Sequence, residues 1–127
     1  MKHLSLTLVV ALLCAGSVYA HHSFSSFYQE RESVSIEGDL VSFEYKAPHA
    51  WVHIMAKDET GQMQKFSAEW QNPRRLKEMG IQPETFKPGE RYTLTGSPGR
   101  NPADHLLHLK VIQRVADGKK WGNGGRR

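Results

Sequence analysis

The sequence predicts an all-β domain, a small five-stranded OB-like barrel with one short helix between strands 3 and 4. The order of elements is the first observation, because three alternating segments, one short helix and two further strands follow one another as in such barrels. The second is a change of face in the first strand beside Gly38, which indicates the bulge that a sharply coiled strand needs for closure. An open α+β sheet with one helix is the alternative.

The first three strands are predicted at residues 33–45, 49–57 and 64–70, where apolar side chains alternate with polar ones. Pro48 separates the first two strands, because proline lacks the N–H group that a strand ladder needs. A turn at 58–61 separates the second strand from the third. The alternation in the second strand places Val52, Ile54 and Ala56 on one face and Trp51, His53 and Met55 on the other.

A short helix is predicted between Asn72 and Gly80. Asn72 suits the N-cap, Pro73 suits the first helical position, and Gly80 suits a left-handed exit from the helix. The last two strands are predicted at 91–97 and 105–115, after a turn at 87–90 and a loop rich in proline and glycine.

Residues 1–20 have the pattern of a signal peptide, with a positive start, a short apolar run and small residues before Ala20. Cleavage after Ala20 gives an exported protein, periplasmic or secreted, with no second apolar run of membrane length. The mature chain then divides into an N-terminal arm at 21–32, the barrel domain at 33–117 and a basic, Gly-rich tail at 118–127. Export and the mixed signs behind a net charge of +4 make nucleic acid an unexpected partner.

The predicted mature N-terminus, His21-His22, is the leading candidate for chemistry. The free amine and Nδ1 of His21 can chelate a metal, and the imidazole of His49 supplies a third nitrogen. This arrangement, called a histidine brace, gives the tetragonal nitrogen environment that Cu(II) prefers. His49 is the favoured partner because Pro48 fixes the backbone before it. The alternative is that the histidine pair merely suits cleavage and lies in solvent.

Three further residues complete the predicted metal site. His22 can bind through the intervening amide or as another imidazole, and His53 lies on the same strand face as His49. His53 has a second interpretation as part of a half-buried structural face. Glu69 is expected to accept the free N–H of a ligand histidine; the alternatives are a metal ligand and a surface ion pair with Arg74 or Arg75.

The last two histidines of the chain, His105 and His108, fall within the predicted fifth strand. A spacing of three places them on opposite faces of a strand. We expect both to be solvated surface residues, with a second weak metal site as the alternative.

Several segments together resemble the DUF6152 family of small exported bacterial proteins. The segments that carry the resemblance are His21–Phe24, Glu37-Gly38, Ala47–Trp51, Glu69, the Leu76 to Gly80 spacing, Lys87–Glu90 and Asp117-Gly118. The family usually has asparagine before the proline of the Pro-His-Ala segment, where this chain has Ala47. The resemblance implies a fold and candidate positions, but it implies no activity.

These observations predict an exported copper-binding protein that carries or buffers the metal. The alternative is a metal-free periplasmic module of OB type that binds a small ligand or a partner protein. A non-enzymatic role is favoured, because the sequence has no nucleophile elbow, phosphate loop or paired catalytic carboxylates.

Overall fold

The computed structural model describes residues 24–122, which form six strands and one short helix after a helical start at 24–27. The elements are β1 (Val34–Glu44), β2 (Trp51–Lys57), β3 (Met63–Glu69), α1 (Pro73–Glu78), β4 (Arg91–Pro98), β5 (Leu106–Arg114) and β6 (Lys120–Gly122). A single 3₁₀ turn, Pro102–Asp104, lies between β4 and β5. No helix in this described part of the chain is long and apolar enough to cross a membrane.

The first five strands close into a barrel, which confirms the predicted fold class. The strand order is β3-β2-β1-β4-β5, with antiparallel neighbours, and a parallel pairing of β3 with β5 closes the ring. In that closing pair Glu69 lies opposite His108. The sixth strand, β6, extends the sheet along β5 and comes from a segment that the sequence assigned to the tail. The helix α1 lies between β3 and β4, as predicted.

The bulge predicted in the first strand is present in β1. The pairing of β1 with β2 shifts register between Leu40 and Ser42, close to Gly38. Gly38 itself is required by a close approach, because a Cβ atom there would overlap the carbonyl oxygen of Met55 on β2. The coiled strand and its glycine therefore allow β1 to pair with β2 on one side and β4 on the other.

The barrel interior is filled by the apolar side chains that the sequence alternation predicted to face inward. Val52, Ile54 and Ala68 are fully or almost fully buried, and Trp70 is 2% exposed. The short helix α1 adds Leu76, which has no exposed surface. Its N-terminus is capped as predicted: the backbone N–H of Arg75 donates to Asn72 Oδ1 at 2.9 Å.

The N-terminal arm is more regular than the sequence predicted. Residues 24–27 are helical, and Tyr28 forms a β-bridge with Gly99. The backbone N–H of Arg100 donates to the carbonyl of Phe27 at 2.9 Å, which ties the arm to the β4–β5 loop. Tyr28 is 2% exposed, so the arm contributes a side chain to the packed interior rather than lying on the surface.

Candidate functional site

Two histidines from different parts of the chain contact the same aromatic ring, Phe24, at the beginning of the arm. The Phe24 ring stacks on His108 with centroids 4.1 Å apart and planes 9° apart. It also lies 5.3 Å from the His49 ring, at an angle of 45°. His49 precedes β2 and His108 lies on β5. The fold thus brings together two imidazoles that the sequence treated separately.

His49 is held by a carboxylate that is itself held by a tyrosine. Its Nδ1 lies 2.7 Å from Glu69 Oε1, and the Tyr28 hydroxyl donates to Glu69 Oε2 at 2.6 Å. Of the two tautomers of a neutral imidazole, a carboxylate partner on Nδ1 selects the one with its proton on that atom, and this tautomer has its lone pair on Nε2. Within residues 24–122 no hydrogen bond to His49 Nε2 is present.

The position of His49 follows from an extension of the β2–β3 pairing. Ala50 N–H donates to the carbonyl of Gln71, and Trp70 N–H donates to the carbonyl of Ala50, both at 2.9 Å. This pairing continues the ladder one step beyond β2 and sets His49 beside the end of β3, where Glu69 lies. Ala50 is fully buried, so the backbone next to His49 is fixed by packing as well.

His108 has a carboxylate partner of its own, Glu30, on the arm. Its Nδ1 lies 2.7 Å from Glu30 Oε1, and Lys110 Nζ lies 3.0 Å from Glu30 Oε2 and 2.9 Å from the same Nδ1. Burial acts to raise the pKa of Glu30, but the hydrogen bonds with His108 and Lys110 outweigh it and hold the pKa below its ordinary value. Glu30 is therefore a carboxylate at neutral pH.

Tyr28 lies between the two histidine–carboxylate pairs. Its ring centroid is 5.5 Å from that of His108, and its hydroxyl is bonded to Glu69. Burial, the hydrogen bond to Glu69 and the nearby charges of Glu69 and Glu30 all raise the pKa of Tyr28 above its ordinary value. Tyr28 therefore stays neutral and acts as a hydrogen-bond donor across the physiological range.

We expect Tyr28→Phe to lower the free energy of unfolding of the metal-free protein by about 1–2 kcal/mol at pH 7, because Glu69 loses a donor. The neutral Tyr28 hydroxyl makes its full contribution to the free energy of unfolding at pH values below about 10, which is the ordinary pKa of tyrosine. That contribution is lost as pH rises towards the higher pKa of the folded state, because the unfolded chain ionises first. Between pH 8 and 11, the free energy of unfolding measured in urea should fall less steeply with pH in the variant than in the parent protein. An equal fall in the two proteins contradicts this account.

His53 lies away from this cluster and has contacts of its own. Its Nδ1 is 2.7 Å from Ser67 Oγ, its Nε2 is 3.6 Å from Glu44 Oε1, and its ring stacks with Trp51 at 6.3 Å between centroids. Four residues of extended chain, about 13 Å, separate it from His49. These contacts match the half-buried structural interpretation, and a role as an assisting ligand stays a prediction.

The geometry corrects the predicted position of His105 and excludes one alternative for Glu69. His105 lies before β5 rather than in it, with φ of 50°, and its ring edge packs on Phe66 at 4.9 Å between centroids. Among the described residues Glu69 has no arginine partner, because Arg74 and Arg75 pair with Glu78 instead. Glu69 contacts His49 through Nδ1, as expected of a carboxylate that orients a ligand histidine.

The sequence did not single out Phe24, Tyr28, Glu30 and Lys110 as part of a site. His21 and His22 lie outside the described residues. Within residues 24–122, no group of three or more His, Cys, Asp or Glu side chains is arranged to hold a metal ion. The described part of the site is thus a pair of carboxylate-bound imidazoles, His49 and His108, around one aromatic ring.

Fold and site together define a small OB-type barrel whose N-terminal arm covers a histidine–carboxylate cluster at the β3–β5 closure. Residues 9–108 match a family of unknown function, DUF6152, and the chain belongs to that family. Comparisons with curated proteins and with solved structures found no match for this chain.

Proposed function

We propose that this protein is exported, is cut after Ala20, and binds one Cu(II) ion between the new N-terminus and the barrel. The ligands are the amine and Nδ1 of His21 and the Nε2 of His49, with His22 or His53 assisting. Reversible binding of this kind suits copper carriage or buffering in the periplasm or outside the cell.

The observation that carries the proposal is the hydrogen bond from His49 Nδ1 to Glu69, with Tyr28 holding the carboxylate in turn. Metal-binding histidines usually give their second N–H to a carboxylate, which fixes the ring and makes the ligand nitrogen more basic. His49 has that arrangement, and its side chain is about one-third exposed.

The arm supports the proposal because its first described residue, Phe24, lies beside His49. The two ring centroids are 5.3 Å apart, and Phe24 follows His21 by three residues. Three residues of extended chain span at most about 10 Å. This short tether would hold an N-terminus at His21 within that distance of Phe24.

Copper is the metal that this donor set favours. The only cysteine, Cys14, precedes the proposed cleavage site, so the processed chain offers imidazole and amine nitrogens but no thiolate. Nitrogen donors bind Cu(II) more tightly than they bind the other common divalent metals of the first transition row. The N-terminal amine, with a pKa of roughly 7.7–8.0, gives up its proton to the metal near neutral pH.

Removal of the His49 imidazole tests this proposal. We expect His49→Ala, in protein that begins at His21, to weaken Cu(II) binding by at least about 10- to 100-fold, because losing a ligand costs no less than losing its orienting partner. The measurement is a competitive Cu(II) titration with an electron paramagnetic resonance spectrum of each form. The matched control is His105→Ala, which removes an imidazole that packs on Phe66 instead. Equal losses in the two variants contradict the proposal.

One observation favours a second function, the binding of a small ligand by a metal-free module. An open groove of about 920 Å³ lies between the start of β1, the β2–β3 turn and the β4–β5 loop. Its apolar lining includes Ile36, Met63 and Phe66, and it shares no residue with the histidine–carboxylate cluster. If the parent protein takes up no Cu(II), this second function is the one that the structure supports.

A further inference from the structure

We infer that the first half of β1 is a docking edge for an extended peptide segment of a partner protein, which adds to the sheet as a further strand. The segment alternates apolar with polar side chains and carries a net positive charge. It lies in the open groove between the start of β1, the β2–β3 turn and the β4–β5 loop. This groove is apart from the copper site, and its proposed role does not depend on Cu(II).

The first half of β1 has a strand beside it on one side only. Residues Val34 to Asp39 pair with β4, whereas the pairing with β2 begins only at Asp39. On the β2 side, residues 34–38 therefore have no paired strand within residues 24–122, and all five of them line the groove. This part of β1 is an edge that opens onto a cavity.

The unpaired backbone groups of this edge belong to Ser35 and Glu37. The N–H and C=O groups of Leu40 both bond to the turn at 87–90, just before β4. Successive residues of an antiparallel strand direct these groups to opposite sides, so Ser35 and Glu37 direct theirs away from β4. The hydroxyls of Ser35 and Thr95 lie 2.7 Å apart, as expected for the closer, non-hydrogen-bonded type of cross-strand pair. Two N–H and two C=O groups therefore face the groove.

An extended peptide suits this edge because its own backbone can pair with all four groups. Strand addition takes its affinity from main-chain hydrogen bonds and its specificity from alternate side chains. A peptide residue opposite Ile36 points to the inner face of the sheet, because directly opposite residues share a face. Ile36 packs there against the core, and the nearly buried Phe66 lines the same groove. Every second residue of the peptide is therefore apolar.

The charges of the groove favour a basic peptide over a second copy of the same edge. Three carboxylates line the groove, Glu37, Asp58 and Glu59, against two cations, Lys57 and Arg91. Arg91 already forms ion pairs with two carboxylates of β1. A lysine opposite Glu37 forms a favourable cross-strand pair, whereas two copies of this acidic edge bring like charges together.

The test is the binding of a seven-residue peptide, Thr-Val-Lys-Val-Lys-Val-Thr with both ends blocked, to the metal-free protein. Its lysines suit the positions opposite Ser35 and Glu37, and its valines suit the inner face. In the free protein we expect the amide protons of Ser35 and Glu37 to exchange rapidly with solvent and that of Ile36 to be protected. The peptide should slow exchange at Ser35 and Glu37, measured by NMR. Exchange that stays rapid with the peptide in large excess contradicts the inference.

Two N-methylated peptides separate backbone pairing from simple burial of the valines. Methyl groups on both lysine nitrogens remove the N–H groups that bond to β1, so binding should weaken by at least about tenfold. Methyl groups on two valine nitrogens, which face away from β1, are the matched control and should change the affinity little. Equal affinities of the two methylated peptides would mean that the groove takes up apolar side chains alone, as a small-ligand site does, and the inference would be wrong.

Ser35→Pro is the corresponding change in the protein. Proline removes the N–H that faces the groove and spares the ladder with β4, so the barrel should fold and peptide binding should weaken by about tenfold. Ser35→Ala is the matched control, because it removes the hydroxyl contact with Thr95 but keeps the N–H. If the two variants bind the peptide equally, or if the parent protein sediments as a dimer that Ser35→Pro dissociates, the edge does not take a partner peptide. If Ser35→Pro does not fold, the two methylated peptides decide the question.

Discussion

Acetylation of the amino group of His21 is expected to abolish the nitrogen-rich, tetragonal Cu(II) spectrum of the protein that begins at this residue. The acetyl group converts the amine into an amide, so the chelate formed by the amine and Nδ1 of one residue cannot form. Linking two donors raises the overall affinity by about 10² to 10⁴, so the affinity should fall by at least about 100-fold.

The comparison uses two proteins that both begin at His21, one with a free amine and one acetylated there. Each is loaded with one equivalent of Cu(II), and its spectrum and affinity are recorded. The matched control is His105→Ala with a free amine, which should keep the spectrum because this imidazole packs on Phe66. Identical spectra from the first two forms would remove the N-terminus from the site and favour the groove-binding function.

The second large effect is expected from Gly96→Ala, in β4. A Cβ atom at Gly96 would overlap the carbonyl oxygen of His108 on β5, at the point where the β4–β5 register shifts. Backbone atoms cannot give way as the end of a flexible side chain can, so the two strands must separate. We expect the free energy of unfolding to fall by about 3 kcal/mol, the upper part of the range for overpacking.

The measurement is equilibrium unfolding in urea, with Gly61→Ala as the matched control. Gly61 has φ of +83° but open space around its Cα, so the control carries backbone strain of about 1 kcal/mol without a clash. A Gly96→Ala protein no less stable than the control would show that β4 and β5 do not approach so closely.

The sequence was sufficient for the barrel because the relevant signals are local. Alternation of apolar and polar residues identifies the strands and their faces, and Pro48 and Asn72 mark where elements end or begin. The strands β1 to β5 begin and end within two residues of the predicted bounds. The bulge near Gly38 also followed from a local change of phase.

The sixth strand was not predicted because the composition of residues 118–127 is typical of a loose tail. Basic and glycine residues surround Trp121, a pattern typical of a loose terminus. In the structure the Trp121 ring packs edge-on against Phe86, with centroids 5.0 Å apart. Arg114 and Lys119 lie over its ring at 5.3 and 5.0 Å. The half-buried Trp121 ring therefore helps to hold β6 on β5, beside the backbone pairing of the two strands.

The candidate site could be predicted only in part, because its contacts are long-range. Glu69 was expected to orient a histidine, and it does contact His49. His108 and Glu30 are 78 residues apart in sequence, and Tyr28 is 41 residues from Glu69. Alternation of apolar and polar residues predicts the face on which each strand residue lies. It does not predict which two strands pair to close the barrel. The parallel β3–β5 pairing, which brings His108 to Glu69, appears only in the folded chain.

The most direct measurement is a crystal structure of the copper-loaded protein that begins at His21, with anomalous diffraction recorded at the copper absorption edge. The account predicts one anomalous peak about 2 Å, a usual metal–imidazole distance, from the amine and Nδ1 of His21 and from the Nε2 of His49. A peak bound to neither residue, beside His53 or on the basic tail for example, contradicts the account.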